Sequence, residues 1–98
     1  MSEQGTLNAV NRYIEMINGK GVTNAVNHTE TENGDPTHLE HLLWMLNTLK
    51  IKVVPGAANG FDVAKYSRWL GFIQGVLICK KMTTVENERN VTRPWFQG

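Results

Sequence analysis

Apolar positions recur along this chain with the period of an α-helix, and in one stretch they recur on two faces at once. That stretch is residues 62–81. With Tyr66 at zero and about 100° per residue, Tyr66, Trp69, Leu70, Ile73, Val76 and Leu77 form one bulky face. Ala64, Ser67, Gly71, Gly75 and Ile78 form a second face roughly opposite, made mostly of small residues. A surface helix needs one apolar stripe. Two stripes place the helix at the centre of the fold or give it a face for a partner. Packing within the chain is the simpler expectation, and a subunit or partner interface is the other.

Three further helices follow from pattern and caps. Residues 6–18 carry Leu7, Val10, Ile14 and Ile17 in a stripe with Tyr13 beside it, Thr6 as a cap, and Asn18-Gly19 as a stop. A second helix begins at Asp35-Pro36, a good N-cap followed by a residue suited to the first helical position. Leu39, Leu42, Leu43, Leu46 and Leu49 give it a core stripe through Lys50. Trp44 projects about 140° from that stripe. Either the C-terminal tail covers it or it anchors an interface. The third helix is 62–81, capped by Asp62, with Lys80 and Lys81 at its negative end. A fourth starts at Thr83-Thr84-Val85-Glu86, which fits a capping box, and should stop by Thr92, since Arg93 precedes Pro94.

The connections are uneven. Residues 19–34 are rich in Gly, Asn and Thr and read as a long loop, exposed over residues 28–34, in which Val22, Ala25 and Val26 either form one short helical turn or pack as an Ω-like loop. Ile51, Val53 and Val54 read as a short extended segment before a Pro55-Gly56 turn and a flexible Ala57-Ala58-Asn59-Gly60. Trp95 and Phe96 are expected to fold back onto the core. The sum is a single all-α domain spanning 1–98, a three- to four-helix bundle with a long loop between helices 1 and 2.

Composition agrees with a folded domain: 41% of the 98 residues are hydrophobic and 19% charged. The net charge of +1 hides an asymmetry. Residues 1–50 hold three basic and six acidic groups, residues 51–98 seven basic and three acidic. A chain this dipolar can associate head to tail or present two surfaces. Cys79 is its single cysteine, so an internal disulfide is excluded, and a reducing compartment is expected. Met1-Ser2-Glu3-Gln4-Gly5 has no basic n-region and no apolar h-region, so it is not expected to be a secretory signal. The longest apolar run, Trp69 to Ile78, is broken by Gln74 and falls short of the ~20 residues of a membrane span.

The candidate chemistry is thin. His38 and His41 lie one turn apart with Met45 beside them and His28 in the preceding loop. A metal would need further ligands from His28, Glu40 or Cys79, and on a helical wheel Glu40 points elsewhere. Surface histidines are therefore expected, with no metal or other cofactor. Cys79 reads as a buried structural cysteine. The pairs Glu30/Glu32 and Glu86/Glu88 read as solvated, and no phosphate-binding loop is present. No enzyme activity is expected and no catalytic residue is assigned. Arg89, Arg93, Lys80 and Lys81 near Trp95 and Phe96 suit a nucleic-acid backbone, which makes nucleic-acid binding an alternative function.

The segment Arg68-Trp69-Leu70-Gly71-Phe72-Ile73-Gln74-Gly75, with Thr84-Val85-Glu86-Asn87-Glu88-Arg89 and Thr92-Arg93-Pro94 after it, resembles small accessory proteins of tailed bacteriophages and prophages. Leu42-Leu43-Trp44-Met45 fits the same likeness, which covers residues 39–96. The resemblance carries a context and no assigned activity. It implies a protein of the host bacterial cytoplasm that binds and blocks a host protein, defence systems included. Arg68, Trp69 and Gln74 invite attention in that light, against the simpler reading that Trp69 is core and Gln74 satisfies a backbone group. The expected function is protein–protein binding by occlusion, as a homo-oligomer, through Trp44, Arg68, Gly71, Gly75, Arg89 and Arg93. A further alternative is an oligomeric sponge for a nucleotide-like small molecule.

Overall fold

A computed structural model describes residues 3–30, 34–53 and 62–96. Among them are four α-helices, α1 (Glu3–Asn18), α2 (Leu39–Lys52), α3 (Val63–Cys79) and α4 (Val85–Phe96), and one short 3-10 turn, His28–Glu30. No strand occurs among the described residues. The all-α bundle is as expected. The central element is α1, which packs on both α2 and α4, while α3 leans on α2.

The core is built from Val10, Tyr13 and Ile17 of α1, Leu42, Leu46 and Leu49 of α2, and Tyr66, Leu70, Ile73 and Leu77 of α3. The stripe of α2 is the one its leucines predict. The buried face of α1 is rotated from the predicted stripe by about 60° at 100° per residue, because Thr6, Ala9 and Tyr13 are buried while Leu7 and Ile14 are only half-buried. Thr6 is consequently an interior residue and not a cap, and α1 starts three residues before it.

The caps differ instructively from their predictions. Asp35 does not cap α2: its Oδ1 accepts the Thr37 N–H at 2.9 Å and the Thr37 hydroxyl at 2.7 Å, closing an Asx turn. The helix therefore begins at Leu39 with His38 as N-cap. At its other end α2 runs on through Ile51 and Lys52, and Val53 caps it, so these residues are not extended as expected. The rest of that break, residues 54–61, lies outside the described residues. Asp62 caps α3 as predicted, accepting the Lys65 N–H at 2.8 Å.

After α3 the chain turns through Lys81, which has a φ of 60°. The Met82 N–H reaches the Leu77 carbonyl and the Lys81 N–H reaches that of Ile78, the paired bonds of a Schellman stop. Thr84, rather than Thr83, caps α4 by accepting the Asn87 N–H. The fourth helix does not stop at Thr92 but continues to Phe96 with Pro94 inside it. A proline there removes one backbone donor near the helix end, a smaller loss than in mid-helix. The side chains of Trp95 and Phe96, and hence their expected return to the core, lie outside the described residues.

α4 is joined to α1 mainly through polar groups. Its buried side chains, among those described, are Glu88 and Thr92. Glu88 is 1% exposed, which corrects the reading of Glu86/Glu88 as a solvated pair; Glu86 alone is exposed. The Glu88 carboxylate accepts from Arg12 Nη2 at 2.8 Å and from the Thr83 hydroxyl at 2.6 Å. Burial pushes its pKa up, but the hydrogen bonds from Arg12, Thr83 and Tyr13 outweigh this and hold it below the ordinary value. Burial likewise raises the pKa of the neighbouring Tyr13 hydroxyl, which accepts from Gln74 Nε2 at 2.9 Å. Gln74 thus bonds a side chain of α1, not a backbone group, and ties α3 to the same network.

Candidate functional site

The outward side of α3 carries a row of small residues beside an exposed aromatic ring. Ser67, Gly71, Gly75 and Cys79 follow one another at a spacing of four, so they line one row along the helix. A Cβ placed on Gly71 or on Gly75 would come within 4 Å of no other described segment. Among the described residues, packing within the chain, the simpler expectation for this face, is therefore not what these two glycines serve. Cys79 is exposed. That corrects the reading of a buried structural cysteine, because Cys79 belongs to this row and not to the bulky face.

Phe72 stands beside the row, 40% exposed. On one side of it lies a hollow of about 480 Å³ bounded by Gly71, Gly75, Val76, Cys79, Thr37 and Lys80. On the other lies a hollow of about 410 Å³ whose walls include Trp44, Met45, Arg68, Trp69 and His41. Trp44 is half-buried: its ring stacks on His41 at 5.5 Å and meets Trp69 at 6.0 Å. His41 and Trp69 each cover part of Trp44, while the side chains of the C-terminal tail expected to cover it lie outside the described residues. Trp69 is itself half-buried rather than core.

Among the predicted interface residues, Arg68, Gly71 and Gly75 are exposed and share this side with Trp44. Arg89 and Arg93 are exposed as well, on α4. They line neither hollow beside Phe72.

A second constellation forms where the loop meets the start of α2. Val26 N–H donates to the Glu40 carbonyl at 3.1 Å, and His28 N–H donates to His41 Nδ1 at 3.1 Å. The loop is therefore pinned along α2 on both sides of Asn27. His28 Nδ1 accepts the Asp35 N–H at 3.2 Å, which leaves the ring proton on Nε2 to be donated to Glu40 Oε1 at 2.6 Å. The His38 ring meets His28 edge to face at 4.8 Å. His28, His38 and Glu40 present donor atoms all within 4.8 Å of one another.

This corrects the helical-wheel reading, which paired His38 with His41 and sent Glu40 elsewhere. His38 precedes the first helical residue, so its side chain is not bound to the wheel. His41 turns inward, 3% exposed. Burial, and secondarily repulsion from His28, lowers its pKa and favours the neutral ring. In sequence, the signal for this meeting is a polar loop carrying one histidine, His28, ahead of a helix with Glu40 in its first turn.

Comparison with known proteins returns no matching family model, no similar curated protein and no similar solved structure. None of the helices, over the described residues, is long and apolar enough to cross a membrane.

Proposed function

We propose that this chain acts by protein–protein binding through the outer side of α3, first with a second copy of itself and then, as a dimer, with a host protein whose working surface it covers. The observation that supports this reading is Phe72, exposed between two apolar hollows on a row of small residues. Knob and hole lie on one face. A two-fold axis across α3 lets Phe72 of each copy enter the hollow beside Gly71 and Gly75 of the other, a self-complementary interface. Residues spaced by four favour a crossing of about −50° between the two helices. The Trp44, Arg68 and Trp69 hollow then stays available at the edge of the dimer for the foreign partner. The likeness to phage accessory proteins supports a bacterial host protein as that partner, and the bacterial cytoplasm as the place of action.

Light scattering across a concentration series, under reducing conditions so that Cys79 cannot cross-link copies, tests the first step. A dimer is expected, and Gly71→Leu and Phe72→Glu should each return it to monomer mass. A wild-type chain that stays monomeric at its highest soluble concentration would overturn self-association. Stability should move the opposite way for a small substitution. Since no other described segment opposes a Cβ at Gly71, Gly71→Ala should stabilise the dilute, monomeric chain by up to about 1 kcal/mol in denaturant melts while weakening the dimer.

The aromatic hollow with Arg68 at its rim supports a second reading, a pocket for a planar anionic molecule. Thermal stabilisation by a nucleotide panel would distinguish it.

A further inference from the structure

We propose that His28, His38 and Glu40 form a binding site for a divalent d-block cation of the zinc type, which fastens the loop to the start of α2. Two imidazoles and one carboxylate are the donor types that zinc prefers, whereas magnesium and calcium prefer sites built from oxygen alone. The three donor atoms already lie within 4.8 Å of one another. Zinc bonds of about 2.0–2.1 Å place tetrahedral ligand atoms roughly 3.4 Å apart. The 2.6 Å approach of His28 Nε2 to Glu40 Oε1 must open by somewhat under 1 Å, and the His38 ring, 3.8 Å from that oxygen through Nδ1, needs only a small adjustment. Side-chain exposures of 52% for His38 and 39% for Glu40 leave them room to adjust.

The surroundings suit His38 as a ligand. Its Nε2 lies 3.5 Å from Asp35 Oδ2. With Nδ1 on the metal, the Nε2–H points to a carboxylate, the usual outer partner of a zinc-bound histidine. His28 is the best-held member, its side chain 13% exposed and its backbone N–H tied to His41. His41 is buried and is not among the donors that gather within 4.8 Å.

The proton accounting makes a specific demand. A cation at His28 Nε2 takes the place of the proton now given to Glu40. The ring must then carry its one proton on Nδ1, and a proton is lost from the neighbourhood of Nε2 as Nδ1 gains one from solvent. Nδ1–H then faces the Asp35 N–H, so the 3.2 Å bond between them breaks on binding. Lys80 borders the same hollow as His38 and Glu40, and its ammonium opposes an added cation.

The test uses the purified full-length chain, stripped with a chelator and titrated with zinc against a chromophoric zinc indicator. One equivalent should bind. His38→Ala and Glu40→Gln should each weaken binding at least tenfold, and Glu40→Gln keeps an acceptor for His28, so the local fold is retained. Lys80→Met should tighten binding, Cys79→Ser should leave it unchanged, and magnesium at equal concentration should not compete. In the amide spectrum the Asp35 N–H should shift with zinc in step with the histidine ring nitrogens. No binding at one equivalent, binding indifferent to His38→Ala, or binding lost with Cys79→Ser would overturn the site.

Discussion

Replacing Glu88 with alanine is expected to lower the unfolding free energy by about 3 kcal/mol, read from denaturant midpoints at neutral pH. Glu88 accepts hydrogen bonds from Arg12 and Thr83 and lies where α4 offers no buried apolar side chain among those described. Alanine leaves the buried Thr83 hydroxyl without this acceptor and Arg12 without its counter-charge. The lower end of the range for a broken buried pair applies, because Arg12 is 26% exposed and keeps some water. Replacing Arg12 and Glu88 together with apolar residues should cost less than the two single losses added, since neither charge is then stranded.

Acid should reproduce the effect. The folded carboxyl titrates below its ordinary 4.5, so the folded state favours the charged form more than the unfolded chain does. The contribution is fully present above the unfolded value and is lost as pH falls through the folded one. Stability should decline from about pH 4.5 downward, and the Glu88→Ala variant should show a shallower decline. An equal acid slope in both proteins would refute the assignment.

Ile73→Ala should cost about 3 kcal/mol, within the range for truncating a fully buried isoleucine. Ile73 is 0% exposed between α3 and the rest of the core. The contrast with Gly71, two residues earlier, is the point of the experiment. On one helix, removing side-chain volume at position 73 destabilises and adding it at position 71 stabilises, because Ile73 is packed in the core and a Cβ at Gly71 meets no other described segment within 4 Å. If both substitutions destabilised the dilute chain, the small-residue row would have to be packed after all.

The leucines of α2 were legible because five apolar residues repeat one period without interruption, and such a stripe has one way to be buried. The same logic located the inner face of α3. It failed on Glu88, whose neighbours Glu86, Asn87, Arg89 and Asn90 are all polar, because its partner Arg12 lies 76 positions away. Sequence windows do not see such pairs. The start of α2 was misplaced because Asp35 suits an Asx turn as well as a cap, and only Thr37, two positions on, decides between them. That error carried into the site. A wheel begun at Pro36 puts His38 on the helix and apart from Glu40, whereas a helix begun at Leu39 frees it to meet Glu40. The exposure of Arg68, Gly71 and Gly75 was anticipated from the second face of α3, but the part His28 plays depends on how the loop closes.

The pairing of α1 with α4 also sets an order of events. α1 finds one of its two main packing partners in α4, the described helix farthest from it along the chain. Until α4 docks, Arg12 and Tyr13 have no Glu88 to meet. The fold therefore closes through a contact between residues 76 positions apart, a long-range closure of the kind that slows folding.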